Sequence, residues 1–157
     1  MILRFPEFSR DMHRGEEDAV DALLARAFGS PDKAKMVASL RQSGDIAGEV
    51  VLPFQGGIVG YYALARMKAP ADWLCLAAVA IDPDWQGAGH GRRLIGMLSE
   101  WARLSQQSVI ASGPAAFFTR AGFAPSPIKG ALLAGPSADL PPTTPLYPPA
   151  FKAHLCG

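Results

Sequence analysis

Between residues 86 and 91 the chain reads Gln86-Gly87-Ala88-Gly89-His90-Gly91, with Arg92 and Arg93 directly behind. Glycines permit a tight turn and leave backbone N–H groups unobstructed by Cβ atoms, and a helix starting at such a loop adds the positive end of its dipole. The chemistry on offer is capture of an anion, with a phosphate or pyrophosphate as the natural guest. Two common nucleotide loops fail on the neighbouring residues. A Walker A loop ends in Gly-Lys-Ser/Thr, whereas this loop ends Gly91-Arg92-Arg93. A dinucleotide fingerprint needs G-x-G-x-x-G and an acid about 20 residues later. Here the spacing is G-x-G-x-G, and residues 107–111 carry no acid. The glycines alone leave a nucleotide-binding protein of another type open.

The loop needs a strand before it and a helix behind it, and the sequence provides both. Residues 74–81 form a near-continuous apolar run, as expected of a central strand buried on both faces. From Arg92 onward, Leu94, Met97, Leu98 and Trp101 recur at i, i+3, i+4 and i+7, which predicts a helix. Upstream, residues 2–5 suit a short first strand. Ala19, Leu23, Leu24 and Ala27 give residues 16–28 helical spacing, with Glu16, Glu17 and Asp18 at the end the dipole favours. Ser30 is expected to cap a second helix, with Pro31 at its first position and its end near Gln42. Residues 49–54 and 58–67 flank Gln55-Gly56-Gly57 as a hairpin. Residues 107–111 read as a strand. Beyond Gly122 the prolines leave room only for short edge strands near 130–134 and 147–151, joined by a long loop. The expectation is one α/β domain spanning residues 1–157.

Composition narrows the functional classes. The chain has 157 residues, 49% hydrophobic and 18% charged, which suits a single globular core. A formal net charge of +1 offers no global attraction to nucleic acid or to an anionic membrane, so neither is expected as a partner. The N-terminal residues lack the basic segment and apolar core of a signal peptide, and no 18-residue apolar run exists, so the expected localisation is cytoplasmic. Cys75 and Cys156 have neither disulfide-framework nor metal-ligand spacing, and no metal is expected.

Gln86-x-x-Gly89-x-Gly91, preceded by Val79-Ala80-Ile81-Asp82-Pro83-Asp84-Trp85, resembles the acetyl-CoA signature Q/R-x-x-G-x-G/A of the GNAT N-acetyltransferase superfamily. Ser112-Gly113-Pro114 and Phe118-Thr119-Arg120-Ala121-Gly122-Phe123 are similar to the family's strand-to-helix segment ending in Gly-Phe. The resemblance covers roughly residues 74–123. It implies an α/β (α+β) GNAT fold: a mixed central sheet of about six to seven strands flanked by about four helices, with acetyl-CoA in the cleft between splayed central strands. By the same resemblance, Val79, Ala80 and Ile81 would bind the pantetheine arm through their backbone. Gln86, Gly87, Ala88, Gly89, His90, Gly91 and Arg92 would hold the pyrophosphate. On the residues themselves, Gln86 is expected to shape the loop through its amide, and His90 reads as an exposed, solvated residue at a helix start. Small side chains at Ala77, Ala78, Ala80, Ala111, Ser112 and Gly113 suit either a threaded cofactor or close helix–sheet packing.

The implied activity is transfer of an acetyl group from acetyl-CoA to a primary amine by direct attack in a ternary complex. The acceptor is a small molecule or protein, and the enzyme a monomer or homodimer. Such a step needs a neutral amine, oxyanion stabilisation and protonation of the departing thiolate. Many members of the family use a strand carboxylate and a helix Tyr, but Cys75 and Phe118 occupy those positions here. Neither can fill the role at neutral pH. Ser112 and Asp72 are the candidate substitutes, with Tyr61 or Tyr62 behind them. Residues 135–149 are expected to wall the acceptor side. The alternative function is a catalytically weak or inactive acyl-CoA-binding sensor or partner module.

Overall fold

In the computed structural model, which describes residues 6–128, 130–136 and 145–151, the elements follow one another as β1 (Arg10–Asp11), α1 (Glu17–Phe28), α2 (Asp32–Gln42), β2 (Ile46–Phe54), β3 (Gly57–Arg66), β4 (Leu74–Ile81), α3 (His90–Ser105), β5 (Val109–Ala111), α4 (Ala115–Arg120), β6 (Ala124–Pro125) and β7 (Leu132–Ala134). Gln55 and Gly56, at φ 46° and 78°, make a left-handed two-residue turn whose twist suits antiparallel strands, so β2 and β3 zip into the expected hairpin. Ser30 Oγ accepts from the Asp32 N–H at 3.2 Å, so it serves the start of α2 from one residue further out than expected, with Pro31 at the cap position.

One mixed sheet collects seven strands in the order β1-β2-β3-β4-β5-β7-β6. All pairs are antiparallel except β4–β5, which α3 connects as a crossover. Strand alternation then divides the core. Tyr61, Ala63 and Ala65 face Leu23 and Leu24 of α1 and Val37 and Leu40 of α2. Tyr62 and Leu64 face the opposite way, into the layer built by Leu94, Ile95 and Leu98 of α3 and Phe118 of α4. Fully burying each such leucine or isoleucine contributes about 2 kcal/mol, which fixes α3 against the sheet. Its buried stripe is Leu94, Ile95, Leu98 and Ala102. Met97 and Trp101, counted in the helical repeat, are 57% and 45% exposed instead.

The C-terminal part departs from expectation. Residues 132–134 form a strand as expected, but β7 lies inside the sheet, between β5 and β6, and not at its edge. The sequence showed no sign of β6, which is two residues long and contains Pro125. Residues 147–151 are not a strand: Leu146 makes an isolated bridge to Ala69, and Tyr147 stacks on Phe151 with ring centres 4.6 Å apart across a turn. The expected first strand at residues 2–5 and the connector 137–144 lie outside the described residues. Among the described residues no helix is long and apolar enough to cross a membrane.

Candidate functional site

The site begins where β4 and β5 part. Only Leu74↔Val109 and Cys75↔Ile110 are paired between them, and no pair joins the two strands beyond Cys75. At that point β4 also carries an irregularity. Ala63 pairs with Ala78 and Leu64 with Leu76, so Ala77 is an extra residue in the strand. A bulge of this kind bends the strand and re-aims its side chains. Cys75, Ala77, Ala78 and Ala80 therefore all belong to the α1/α2 layer, whereas Leu76, Val79 and Ile81 belong to the α3/α4 layer. The parting leaves a cleft of about 700 Å³ between β4, the glycine loop and α4.

Of the ten residues expected to hold a cofactor, nine line this cleft: Val79, Ala80, Ile81, Gln86, Gly87, Gly89, His90, Gly91 and Arg92. Ala88 does not, and its carbonyl instead accepts from Arg93 Nη2 at 3.2 Å. Gln86 shapes the loop as expected, its Nε2 donating to the Ile81 carbonyl at 3.0 Å. Gly89 caps α3 at φ 84°, a conformation unfavourable for any residue with a Cβ, and that Cβ would also lie 3.1 Å from Arg93 Nη1. Gly91 permits close approach: a Cβ there would already touch Ile81 and Phe117.

His90 corrects the sequence reading. It is only 8% exposed, with its ring 5.4 Å from that of Trp85, which packs edge-on against Phe54. Its Nδ1 lies 2.8 Å from Arg93 Nη2, and because a guanidinium only donates, Nδ1 is the acceptor. His90 and Arg93 thus brace the loop from behind. The exposed Arg92 lines the cleft at the helix start, and Arg120 lines it from α4. Among the described residues no acid lines the cleft, and two guanidinium groups face it together with the α3 dipole. Sequence reasoning missed Arg120, Phe117 and Trp85. Arg120 lies two residues before Gly122, but only the folded position of α4 brings it to the loop.

An inner pocket of about 220 Å³ continues the cleft, sharing Val79, Pro114 and Phe117 with it. Leu76, Ala77, Ala78, Phe118 and Phe28 supply apolar wall, and among the described residues Ser112 and Lys33 are the polar ones lining it. Lys33 is 2% exposed, its Nζ 5.1 Å from the centre of the Phe28 ring. Nothing in the sequence singled it out. Of the catalytic candidates, only Ser112 reaches the pocket. Asp72 is exposed in the turn ahead of β4, at the opposite end of that strand from the glycine loop, and lines neither cavity. Cys75 is buried at 1% exposure. Phe118 is packed between Phe117 and Phe123.

Neither hairpin tyrosine lines the cleft or the inner pocket. Tyr61 donates its hydroxyl to Glu49 Oε1 at 2.5 Å, and Glu49 is ion-paired with Arg41 at 2.8 Å. Burial, reinforced by the Glu49 charge, pushes the Tyr61 phenol far above its ordinary range. Tyr62 is pushed up to about 12 by burial and, secondarily, by Asp11, and it lines a separate groove beneath α3.

The model of the acetyltransferase (GNAT) domain matches residues 47–125, which run from the second residue of β2 through β6 and include the whole glycine loop. The chain belongs to the GNAT acetyltransferase family. Among curated members, the uncharacterised N-acetyltransferase YhbS of Escherichia coli K12 is 31% identical over 109 residues, a match covering 66% of this chain and 65% of the relative. YjhQ of the same organism is 36% identical over 109 residues, covering 64% and 60%. The match thus spans about two thirds or less of these relatives' own length. The crystal structure of Escherichia coli YhbS in complex with CoA superposes with a TM-score of 0.69 at 26% identity, covering 78% of this chain and 71% of that one. A Brucella melitensis GNAT acetyltransferase in complex with acetyl-CoA shares the fold, with a TM-score of 0.80 at 20% identity over 92% and 97% of the two chains.

Proposed function

We propose that this protein is an acetyl-CoA-dependent N-acetyltransferase: it binds acetyl-CoA in the β4–β5 cleft and passes the acetyl group directly to a primary amine in a ternary complex. The observation that carries the reading is the loss of β4–β5 pairing after Cys75, which opens a cleft lined by the glycine loop and Arg92. In this reading the loop N–H groups, the α3 N-terminus and Arg92 hold the pyrophosphate, joined by Arg120. The backbone of Val79, Ala80 and Ile81 faces the pantetheine arm. The thioester then lies toward the inner pocket, where a neutral amine attacks its carbonyl. Collapse of the tetrahedral species expels the CoA thiolate, and the proton lost by the amine reaches that thiolate through Ser112 or water. Positioning of two bound reactants does most of the work.

Residues 1–157 act as one domain in this reading, cytoplasmic on the strength of their composition. A second reading, a sensor that binds acyl-CoA without turnover, is favoured by Cys75 and Phe118 standing in place of a base and an acid. One assay separates the two: acetyl-CoA is titrated calorimetrically, and CoA release is then followed over a panel of amines. Binding with amine-dependent release supports the transferase. Binding without release from any amine leaves the sensor, and absence of binding defeats both.

A further inference from the structure

One strand leads from the cleft into the inner pocket. Read back from the glycine loop, Ile81, Ala80 and Val79 line the cleft, and Val79, Ala78, Ala77 and Leu76 line the pocket. Opposite that strand, Pro114 and Phe117 are shared by both cavities. A CoA thioester laid along β4 with its phosphates at residues 86–92 therefore directs its acyl group toward Ala78, Leu76 and Phe118. The side chains there are apolar: Leu76, Phe117 and Phe118 come from the α3/α4 layer and Ala78 from the α1/α2 layer. Phe28 joins them from the end of α1. The pocket's volume of about 220 Å³ corresponds to about seven waters at ~30 Å³ each, and an acetyl group, at roughly one water's volume per carbon, takes roughly two of those places. Apolar space left empty forfeits dispersion contacts that a longer chain would make.

We propose that the acyl donors of this protein extend beyond acetyl-CoA to propionyl- and butyryl-CoA, whose saturated chains occupy the inner pocket. The inference rests on the reading of the cleft as an acyl-CoA site and names the donors that site takes. Each further methylene buried against the apolar wall strengthens binding by about fourfold. A butyryl group fills roughly four of the about seven places and leaves the rest to the attacking amine. The bonds that change are those of acetyl transfer: the amine nitrogen bonds to the acyl carbonyl carbon, the carbon–sulfur bond breaks, and the proton leaving the amine ends on the CoA thiolate. Ala78 is a specificity residue in this account. It is 3% exposed at the pocket wall, and a larger side chain there takes up the space that the added methylenes would use.

The test is calorimetric titration of the full chain with CoA and with its acetyl, propionyl, butyryl, octanoyl and succinyl thioesters. Kd should fall about fourfold from acetyl- to propionyl-CoA and about fourfold again to butyryl-CoA. Octanoyl-CoA, whose chain exceeds the pocket, should gain nothing over butyryl-CoA, and succinyl-CoA, which ends in a carboxylate, should bind no better than acetyl-CoA. Ala78→Leu should erase the gain from acetyl- to butyryl-CoA, and Leu76→Ala should move the optimum to hexanoyl-CoA; binding of CoA itself certifies the fold of each variant. The wild-type series decides the question even where a variant fails to fold. Acetyl- and butyryl-CoA bound equally tightly, or a steady gain through octanoyl-CoA that Ala78→Leu leaves untouched, would overturn the acyl pocket while CoA binding keeps the cleft in place. Succinyl-CoA bound more tightly than butyryl-CoA would overturn it as well. No binding of CoA would remove the cleft reading and the pocket with it, whereas graded binding without acyl transfer to any amine would uphold the pocket and remove only the transferase.

Discussion

The two ends of the cleft are built differently. At the glycine-loop end every part is braced: Gln86 is tied to Ile81, Arg93 to Ala88 and His90, and Trp85 is held between Phe54 and His90. At the inner end the walls are mostly apolar, and the positions that the family resemblance assigns to a base and an acid hold a buried thiol and a phenyl ring. In the proposed reading, cofactor capture is specified by backbone geometry, which needs glycines and a fixed loop. In the same reading, acceptor chemistry is left to the shape of the inner pocket. A transferase built in that way would gain most from orientation, and would tolerate the loss of an acid or base at a cost of about 10²–10⁴ in rate.

The largest effect should follow from breaking the braced end. Gly89→Glu places a side chain on a φ of 84°, 3.1 Å from Arg93, and a negative charge where the anion belongs. At acetyl-CoA a hundredfold above Kd, wild-type protein should gain about 2.7 kcal/mol of stability, and this variant none. A thermal-shift comparison measures it, and a folded variant with the full wild-type shift would break the contrast by removing the loop from the site.

A middle-sized effect sharpens the other half. Phe118→Tyr restores a hydroxyl where the family resemblance expects a proton donor, on a ring that lines the inner pocket. Turnover with any accepted amine should rise by about tenfold, a fraction of what a positioned acid contributes. Unchanged or lower turnover in a folded variant would mean that thiolate protonation does not limit this enzyme.

The smallest effect concerns the α1/α2 layer behind the inner pocket. Asp21 on α1 has a buried Oδ1 with no hydrogen-bond partner among the described residues, and desolvation raises its pKa, opposed chiefly by Arg41. A carboxyl raised in the folded state favours folding while neutral, and that contribution is lost as pH rises through the folded pKa. Asp21→Asn should therefore leave stability unchanged at strongly acidic pH and raise Tm by about 2 °C at neutral pH. Melting curves across pH would show it. A lowered Tm at neutral pH would mean that the ionised carboxylate is stabilised in the fold.

The parts legible in the sequence were those written in local chemistry. Glycine spacing marked the loop, the 74–81 run marked the central strand, and Gln55-Gly56 marked the hairpin turn, because each depends on neighbouring residues only. The bulge at Ala77 was not legible: in Leu-Cys-Leu-Ala-Ala-Val every residue is apolar, so an extra residue leaves no break in the pattern. His90 looked exposed because its partners Trp85 and Arg93 enclose it only once the loop has turned. Lys33 and Arg120 each sit beside the site through the docking of a different helix, information that no window of sequence contains. Met97 and Trp101 fitted a helical repeat and still face outward, since the sheet covers only the stripe through Leu94 and Leu98. The C-terminal strands were misplaced for a related reason, as the order of strands in a sheet depends on pairing across the whole fold.

Backbone amide exchange with and without CoA tests the central claim most directly, because the proposed contacts are made largely by N–H groups. The account predicts that CoA slows exchange at residues 79–81 and 86–92 and leaves β1 and β2 unchanged. Protection confined to the groove lined by Arg10, Val50, Tyr62 and Trp101, with none in the glycine loop, would contradict it.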